Sequence, residues 1–200
     1  ATDDEGAAYI FIKSGGQWVF QQKLIAPDGV FADEFGFSVA ISGNTAVVGA
    51  PKNKVGSNNE QGSAYVFVRS GTTWSIQQKL TAGDGATNDQ FGYSVGIDGN
   101  RIIVGAHRAV INHATGAGAV YIFNRTGSVW TQQQKIYLVS GGEGDRFGTS
   151  VAISGNSVFI GATGDTNAQY TAPGAAYVFN YNPTTTNWGL HQKLVSPNRS

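Results

Sequence analysis

The chain has no cysteine and no methionine in 200 residues. Without cysteine there is no disulfide, no thiolate nucleophile and no Cys-ligated zinc. That does not fix the compartment, because large secreted β proteins can fold without disulfides. Charge is also scarce. Asp, Glu, Lys and Arg make up 13% of the chain, against roughly a quarter in an average domain. Thirteen basic residues balance 13 acidic ones, so bulk charge attracts neither nucleic acid nor an anionic membrane. No apolar run approaches the roughly 20 residues that span a bilayer. Neither a glycine-rich phosphate loop nor an HExxH motif occurs, and no Ser-His-Asp set stands out. The chain opens on Ala1, which suits a processed or excised polypeptide, and no signal peptide is visible.

Glycine is abundant, at 28 residues, and aromatics make up 12%. Many glycines with threonine and aromatics predict short strands joined by tight turns. An internal repeat organises them. Gly-Ala-Ala-Tyr at 6–9 recurs as Gly-Ser-Ala-Tyr at 62–65, Gly-Ala-Val-Tyr at 118–121 and Gly-Ala-Ala-Tyr at 174–177, each time 56 residues on. Phe-Gly recurs at Phe35, Phe91 and Phe147, and Gly-Ala at Gly49, Gly105 and Gly161. Trp18, Trp74, Trp130 and Trp188 mark a fourth landmark, the last delayed by a longer turn at 182–187. Gln-Lys-Leu/Ile or its variant closes each unit at Lys23, Lys79, Lys135 and Lys193.

Each unit reads as four strands. In 35–41, large Phe35, Phe37, Val39 and Ile41 alternate with small Gly36, Ser38 and Ala40, the period of a strand. A face of small residues suits close approach by another backbone. Gly-Asn turns at 43–44, 99–100 and 155–156 tolerate the positive φ of tight hairpins. Continuous apolar runs at 45–50, 101–106 and 157–162 predict strands buried on both faces. The third strand carries Tyr and Phe two apart. The fourth is expected to place Trp74, Ile76, Gln78 and Leu80 inward, with Lys79 outward as an edge guard. Four antiparallel strands repeated in this way predict an all-β fold of propeller blades. The expected division is an outer hairpin over 6–27, then blades over 28–83, 84–139 and 140–200, fourteen strands in all.

The run Phe-Gly-x-Ser-Val-x-Ile-x-Gly-Asn-x-x-Val-Val-Gly-Ala-Pro at 35–51, followed by Gly-Ser-Ala-Tyr-Val-Phe at 62–67, resembles the FG-GAP repeat of integrin α-chain headpieces and bacterial surface proteins. The resemblance implies a secreted or cell-surface location and a role in adhesion or recognition of a protein or glycan. A purely structural scaffold is the alternative and a hydrolase a remote one; no enzymatic activity is expected. Calcium-binding integrin-type blades carry an Asp-rich loop between their first two strands. Here a Ser/Asp-Gly-Asn turn replaces it, too short for the six to eight oxygens calcium takes. No cofactor is expected; a calcium site, if present, would have to be built elsewhere. An array beginning with half a blade also calls for a partner, either a second copy or further sequence that completes the ring.

Candidate sites lie in the connections. The acids Asp28, Asp33, Asp84, Asp89, Glu143 and Asp145 are the metal candidates. Because acids recur in every linker, capping of turns by Asp is the stronger reading. The loops 51–61, 107–117 and 163–173 diverge most, and divergence on a fixed scaffold is where a binding surface would lie. They offer Asn53 and Lys54, then His107, Arg108 and His113, then Asp165, Asn167 and Tyr170. The tryptophans recur at one position and read as packing between blades. Asn124-Arg125-Thr126 is a glycosylation sequon, relevant in a eukaryotic source.

Overall fold

A computed structural model of the chain describes residues 6–165 and 174–196. The alternating and apolar runs form strands, and no helix occurs among the described residues. A first hairpin comprises β1 (Ala8–Ser14) and β2 (Gln17–Leu24). Three sheets follow. The first contains β3 (Ser38–Ser42), β4 (Thr45–Ala50), β5 (Ser63–Ser70) and β6 (Thr73–Leu80). The second contains β7 (Phe91–Asp98), β8 (Arg101–Ala106), β9 (Ala119–Thr126) and β10 (Val129–Ile136). The third contains β11 (Phe147–Ser154), β12 (Ser157–Ala162), β13 (Ala175–Asn182) and β14 (Asn187–Leu194). Within each sheet the strands are antiparallel neighbours in chain order. These are the expected four-stranded blades, preceded by two strands.

The Phe of each Phe-Gly anchors its own blade. Phe91 is fully buried, edge-on to Tyr121 and Phe123 of β9 at ring distances of 5.4 and 6.0 Å. Phe35 with Tyr65 and Phe147 with Tyr177 repeat the arrangement at 5.4 and 5.5 Å. The following glycine interrupts the simple alternation read from sequence. Gly36, Gly92 and Gly148 hold φ near +90°, at 97°, 92° and 90°. In β7 and β11 the ladder register shifts between this Phe and the Ser three residues on. Such a bulge needs a residue without Cβ.

The fourth strands also depart from the predicted alternation. Register steps from Phe67↔Ile76 to Val66↔Gln78, leaving Gln77 as an extra residue, and Ile76 is exposed. The bulge has a use. Gln77 Oε1 accepts the Trp130 indole N–H at 2.8 Å. Next to it, Gln78 accepts the Trp130 backbone N–H at 2.7 Å and donates to the Trp130 carbonyl at 2.8 Å. Gln21 and Gln22 clamp Trp74 in the same way, and Gln133 and Gln134 clamp Trp188. A bulge thus turns two successive glutamines onto the next blade.

Consecutive blades meet most closely at the inner strands, where β7 packs on β3 and β4, and β11 on β7 and β8. A Cβ on Gly49 would run into the Gly92 carbonyl oxygen, and one on Gly105 into that of Gly148. The same carbonyls accept hydrogen bonds from Ser38 and Ser94, both at 2.8 Å. At the strand 1–2 turns, Gly99 N–H donates to Ser42 Oγ at 3.2 Å and Gly155 N–H to Asp98 at 2.6 Å.

Trp130 is 2% exposed and Trp18, which meets no preceding glutamine pair among the described residues, 69%. Trp130→Ala should cost about 3–5 kcal/mol, Gln78→Ala about 1–3 kcal/mol through the polar groups it leaves unpaired, and Trp18→Ala within about 0.5 kcal/mol of nothing. Urea unfolding of the three variants checks the order; equal losses at Trp18 and Trp130 would contradict the clamp.

Candidate functional site

The linkers between blades and the loops between second and third strands share one end of the sheets. Backbone bonds stitch each loop to the following linker. Asn88, Gln90 and Phe91 donate to the carbonyls of Asn59, Glu60 and Gln61. Gly144, Arg146 and Phe147 donate likewise to Thr115, Gly116 and Ala117. The residue before each Phe-Gly is left-handed: Glu34, Gln90 and Arg146 have φ of 58°, 57° and 56°. For residues with a Cβ this is uncommon. At Gln90 and Arg146 the stitch holds it in place, so these side chains project from a fixed backbone.

The linker acids have separate tasks. Asp33, Asp89 and Asp145 are buried, and each accepts the N–H three residues earlier, from Val30, Ala86 and Gly142 at 2.9, 2.8 and 2.7 Å. Asp33 also accepts from Asn53 Nδ2 at 2.7 Å, and Asn53 in turn accepts from Ser63. Asn53 is therefore buried within a structural network. Burial pushes the Asp89 carboxyl up from its ordinary value, against the lowering effect of the Ala86 N–H.

Asp28 is exposed and bonds to Tyr65 and Lys79 at 2.8 and 2.6 Å. Asp84 does the same with Tyr121 and Lys135 at 3.0 and 2.7 Å. Partial burial raises both carboxyls, but the lysine and tyrosine contacts outweigh it and hold them below the usual range. Burial, and then the bonded carboxylate, push the Tyr65 hydroxyl well up. In the third blade Ser140 occupies the corresponding position. There buried Asp165 takes over, bonding Tyr177 and, at 2.8 Å, Lys193. Burial followed by the Asp165 bond pushes Tyr177 up to about 12. Glu143 is exposed. The acids are thus dispersed, and among the described residues no three His, Asp or Glu side chains are grouped to hold a metal.

The remaining candidates divide. Lys54 and His113 are exposed on the loops. Asn167 and Tyr170 lie outside the described residues. Asn124 sits in β9 with its Oδ1 buried and unpartnered. His107 and Arg108 belong to a cluster that the sequence reading saw only in part. His107 is buried, its ring 3.8 Å from that of Tyr93, which lies 4.7 Å from half-exposed Phe37. Arg108 and Arg146 are exposed, form no ion pair among the described residues, and lie close enough for their charges to act on His107. By contrast, Lys52 on the neighbouring blade is paired with Glu34 at 2.6 Å. Burial first, then the two arginines, push the imidazole down to about 4, so it is neutral at pH 7. Its Nδ1 is buried without a partner. The arrangement is an aromatic shelf beside two uncompensated cations, able to take an anionic group next to an apolar or ring-shaped one.

The FG-GAP repeat model matches three stretches, residues 18–67, 74–123 and 130–179. The chain belongs to the FG-GAP repeat family. Each matched FG-GAP stretch begins at the clamp Trp of one sheet and ends in the third strand of the next, so a sequence repeat straddles two blades. No curated protein matches the chain. FG-GAP repeats are typically non-catalytic and are common in extracellular and surface proteins. No helix of the described residues is long and apolar enough to cross a membrane.

Tyr93, Arg146 and Phe37 escaped the sequence reading because they sit beside repeated residues. Columns 37/93/149 (Phe, Tyr, Thr) and 34/90/146 (Glu, Gln, Arg) nevertheless diverge within the FG-GAP motif, and that contrast was the available signal.

Two outcomes test these assignments. Asp165→Asn should destabilise by about 2–4 kcal/mol, since it strips a buried acid from its lysine, while exposed Asp28→Asn should cost under about 1 kcal/mol; thermal unfolding ranks them. An unfolded His titrates near 6.5. Between that value and about 4, the unfolded chain takes up a proton that folded His107 refuses, so stability falls as pH drops through this window. Urea midpoints of His107→Phe should decline less from pH 7 to 4.5 than those of the parent chain; parallel curves would remove His107 from the linkage.

Proposed function

We propose that the chain is a recognition module of an extracellular or cell-surface protein, binding a protein or glycan that presents an anionic group to the linker face between the second and third four-stranded sheets. The observation that carries this reading is the pair Arg108 and Arg146, unpaired among the described residues beside the Phe37–Tyr93–His107 shelf. Elsewhere on this face eight charges are satisfied locally, in the pairs Asp28–Lys79, Asp84–Lys135, Glu34–Lys52 and Asp165–Lys193. With zero net charge, any affinity for an anion must come from such a local cluster. Each guanidinium bonded to a carboxylate or sulfate contributes about 1.5–3 kcal/mol.

A scaffold role without a ligand has its own support. The loops 51–61 and 107–117 are stitched to the linkers by backbone bonds, and Asn53 is consumed in the fold. A glycan array containing uronate, sulfated and neutral sugars, with an acidic-peptide panel beside it, separates the readings. Anionic ligands should bind in a salt-sensitive manner. Arg108→Ala and Arg146→Ala should each weaken binding by about 10- to 100-fold without changing the melting temperature. Blank arrays with an intact, stable fold would favour the scaffold.

A further inference from the structure

The junction between the second and third four-stranded sheets differs from the one before it at a single ring of equivalent positions. At the earlier junction Phe37 lies against Tyr93, ring to ring at 4.7 Å. At the later one Thr149 holds the position of Phe37 and Tyr93, and Thr163 that of Pro51 and His107. Rings are exchanged for two hydroxyls, whose oxygens lie 3.4 Å apart. Thr163 is exposed, and Thr149 and Tyr93 are half-buried. The Thr149 hydroxyl donates to the Arg146 carbonyl at 2.7 Å. Its single proton is thereby used, and its lone pairs are left to accept, from Thr163 or from a ligand. Arg108 and Arg146 flank this junction, both exposed and close enough to His107 for their charges to act on it. The backbone here is already spent. The N–H groups of Gly144, Arg146 and Phe147 donate to the carbonyls of Thr115, Gly116 and Ala117, that of Thr149 to Arg146 and that of Gly164 to Asp145. A peptide added as an extra strand binds through main-chain hydrogen bonds, and these N–H groups are not available to it.

We propose that the ligand of this junction is an acidic oligosaccharide. Its oxyanion, a carboxylate or sulfate carried on a sugar ring, takes Arg108 and Arg146. The apolar C–H face of a sugar packs on Tyr93, and ring hydroxyls donate to the Thr149–Thr163 pair. Such a ligand narrows the recognition reading above, on which it rests. The side chains match a ring face, a hydroxyl and a charge together, whereas a peptide of glutamates supplies only the charge.

The probes are two acidic tetrasaccharides, one of galacturonate and one of sulfated galactose, titrated into the chain by calorimetry. Beside them run their uncharged counterparts (the methyl ester and plain galactose tetramers) and tetraglutamate. At least one acidic tetrasaccharide should bind about tenfold or more tightly than its uncharged counterpart and than tetraglutamate; which of the two binds identifies the oxyanion. Thr163→Val should weaken that binding by about 3- to 10-fold and leave tetraglutamate unaffected. Its melting temperature should stay within about 2 °C of the parent chain's. Tyr93→Leu should weaken the saccharide similarly through loss of the ring; if it unfolds the chain, Thr163→Val decides alone. Unchanged saccharide affinity in Thr163→Val overturns the inference. So does tetraglutamate that binds as tightly as either saccharide, an outcome that leaves the recognition reading standing if Arg108→Ala and Arg146→Ala abolish it. Equal binding of charged and uncharged sugars, or no binding by any probe, overturns both.

Discussion

The blades are set by a close approach between backbones, where the second strand of one blade meets the glycine carbonyl at the start of the next. Gly49 against Gly92 and Gly105 against Gly148 leave no room for a single carbon. Much else follows from that spacing. Gly92 and Gly148, at the start of β7 and β11, adopt positive φ in a bulge and present their carbonyls to Ser38 and Ser94 of the preceding blade. Farther out, the sheets diverge, and the gap is crossed by longer side chains. A tryptophan and two glutamines, one of them freed by a second bulge, carry the outer contact. Small residues inside and large ones outside give a stack of sheets that fans about an inner edge.

Polar groups at the linker end are matched in sets that survive substitution. Tyr and Lys of the third and fourth strands need one carboxylate between them. The first two blades supply it from the linker, as Asp28 and Asp84, and the third from the loop, as Asp165. The chemistry is kept while the chain position changes. Beside these satisfied sets, Arg108 and Arg146 have no ion pair among the described residues and flank the Phe37–Tyr93–His107 shelf.

The fold was legible in the sequence because its determinants repeat: Phe-Gly, Gly-Ala, Tyr and Trp in register specify strand order and blade size. The bulges were not legible, since a twofold alternation hides one extra residue. Ile76 was consequently expected inside and lies outside. The candidate site was only partly legible. His107 and Arg108 lie in a loop that visibly diverges, whereas Arg146 and Tyr93 come from the following linker and strand. Only the three-dimensional stitch of loop to linker brings these together. Asn53 shows the reverse: a divergent position that the fold buries in a structural network.

The offset between sequence repeat and blade bears on how such arrays grow. A matched stretch such as 18–67 holds the outermost strand of one sheet and three strands of the next. Duplicating that stretch in a gene therefore inserts no self-contained blade. Each new copy finishes its predecessor's sheet and leaves its own one strand short, so every added unit is covalently interlocked with both neighbours. Lengthening by recombination would preserve the clamp automatically, because the Trp that opens each stretch faces the paired glutamines of the stretch before it. An array built this way can lengthen one unit at a time without passing through an intermediate that has a broken internal junction.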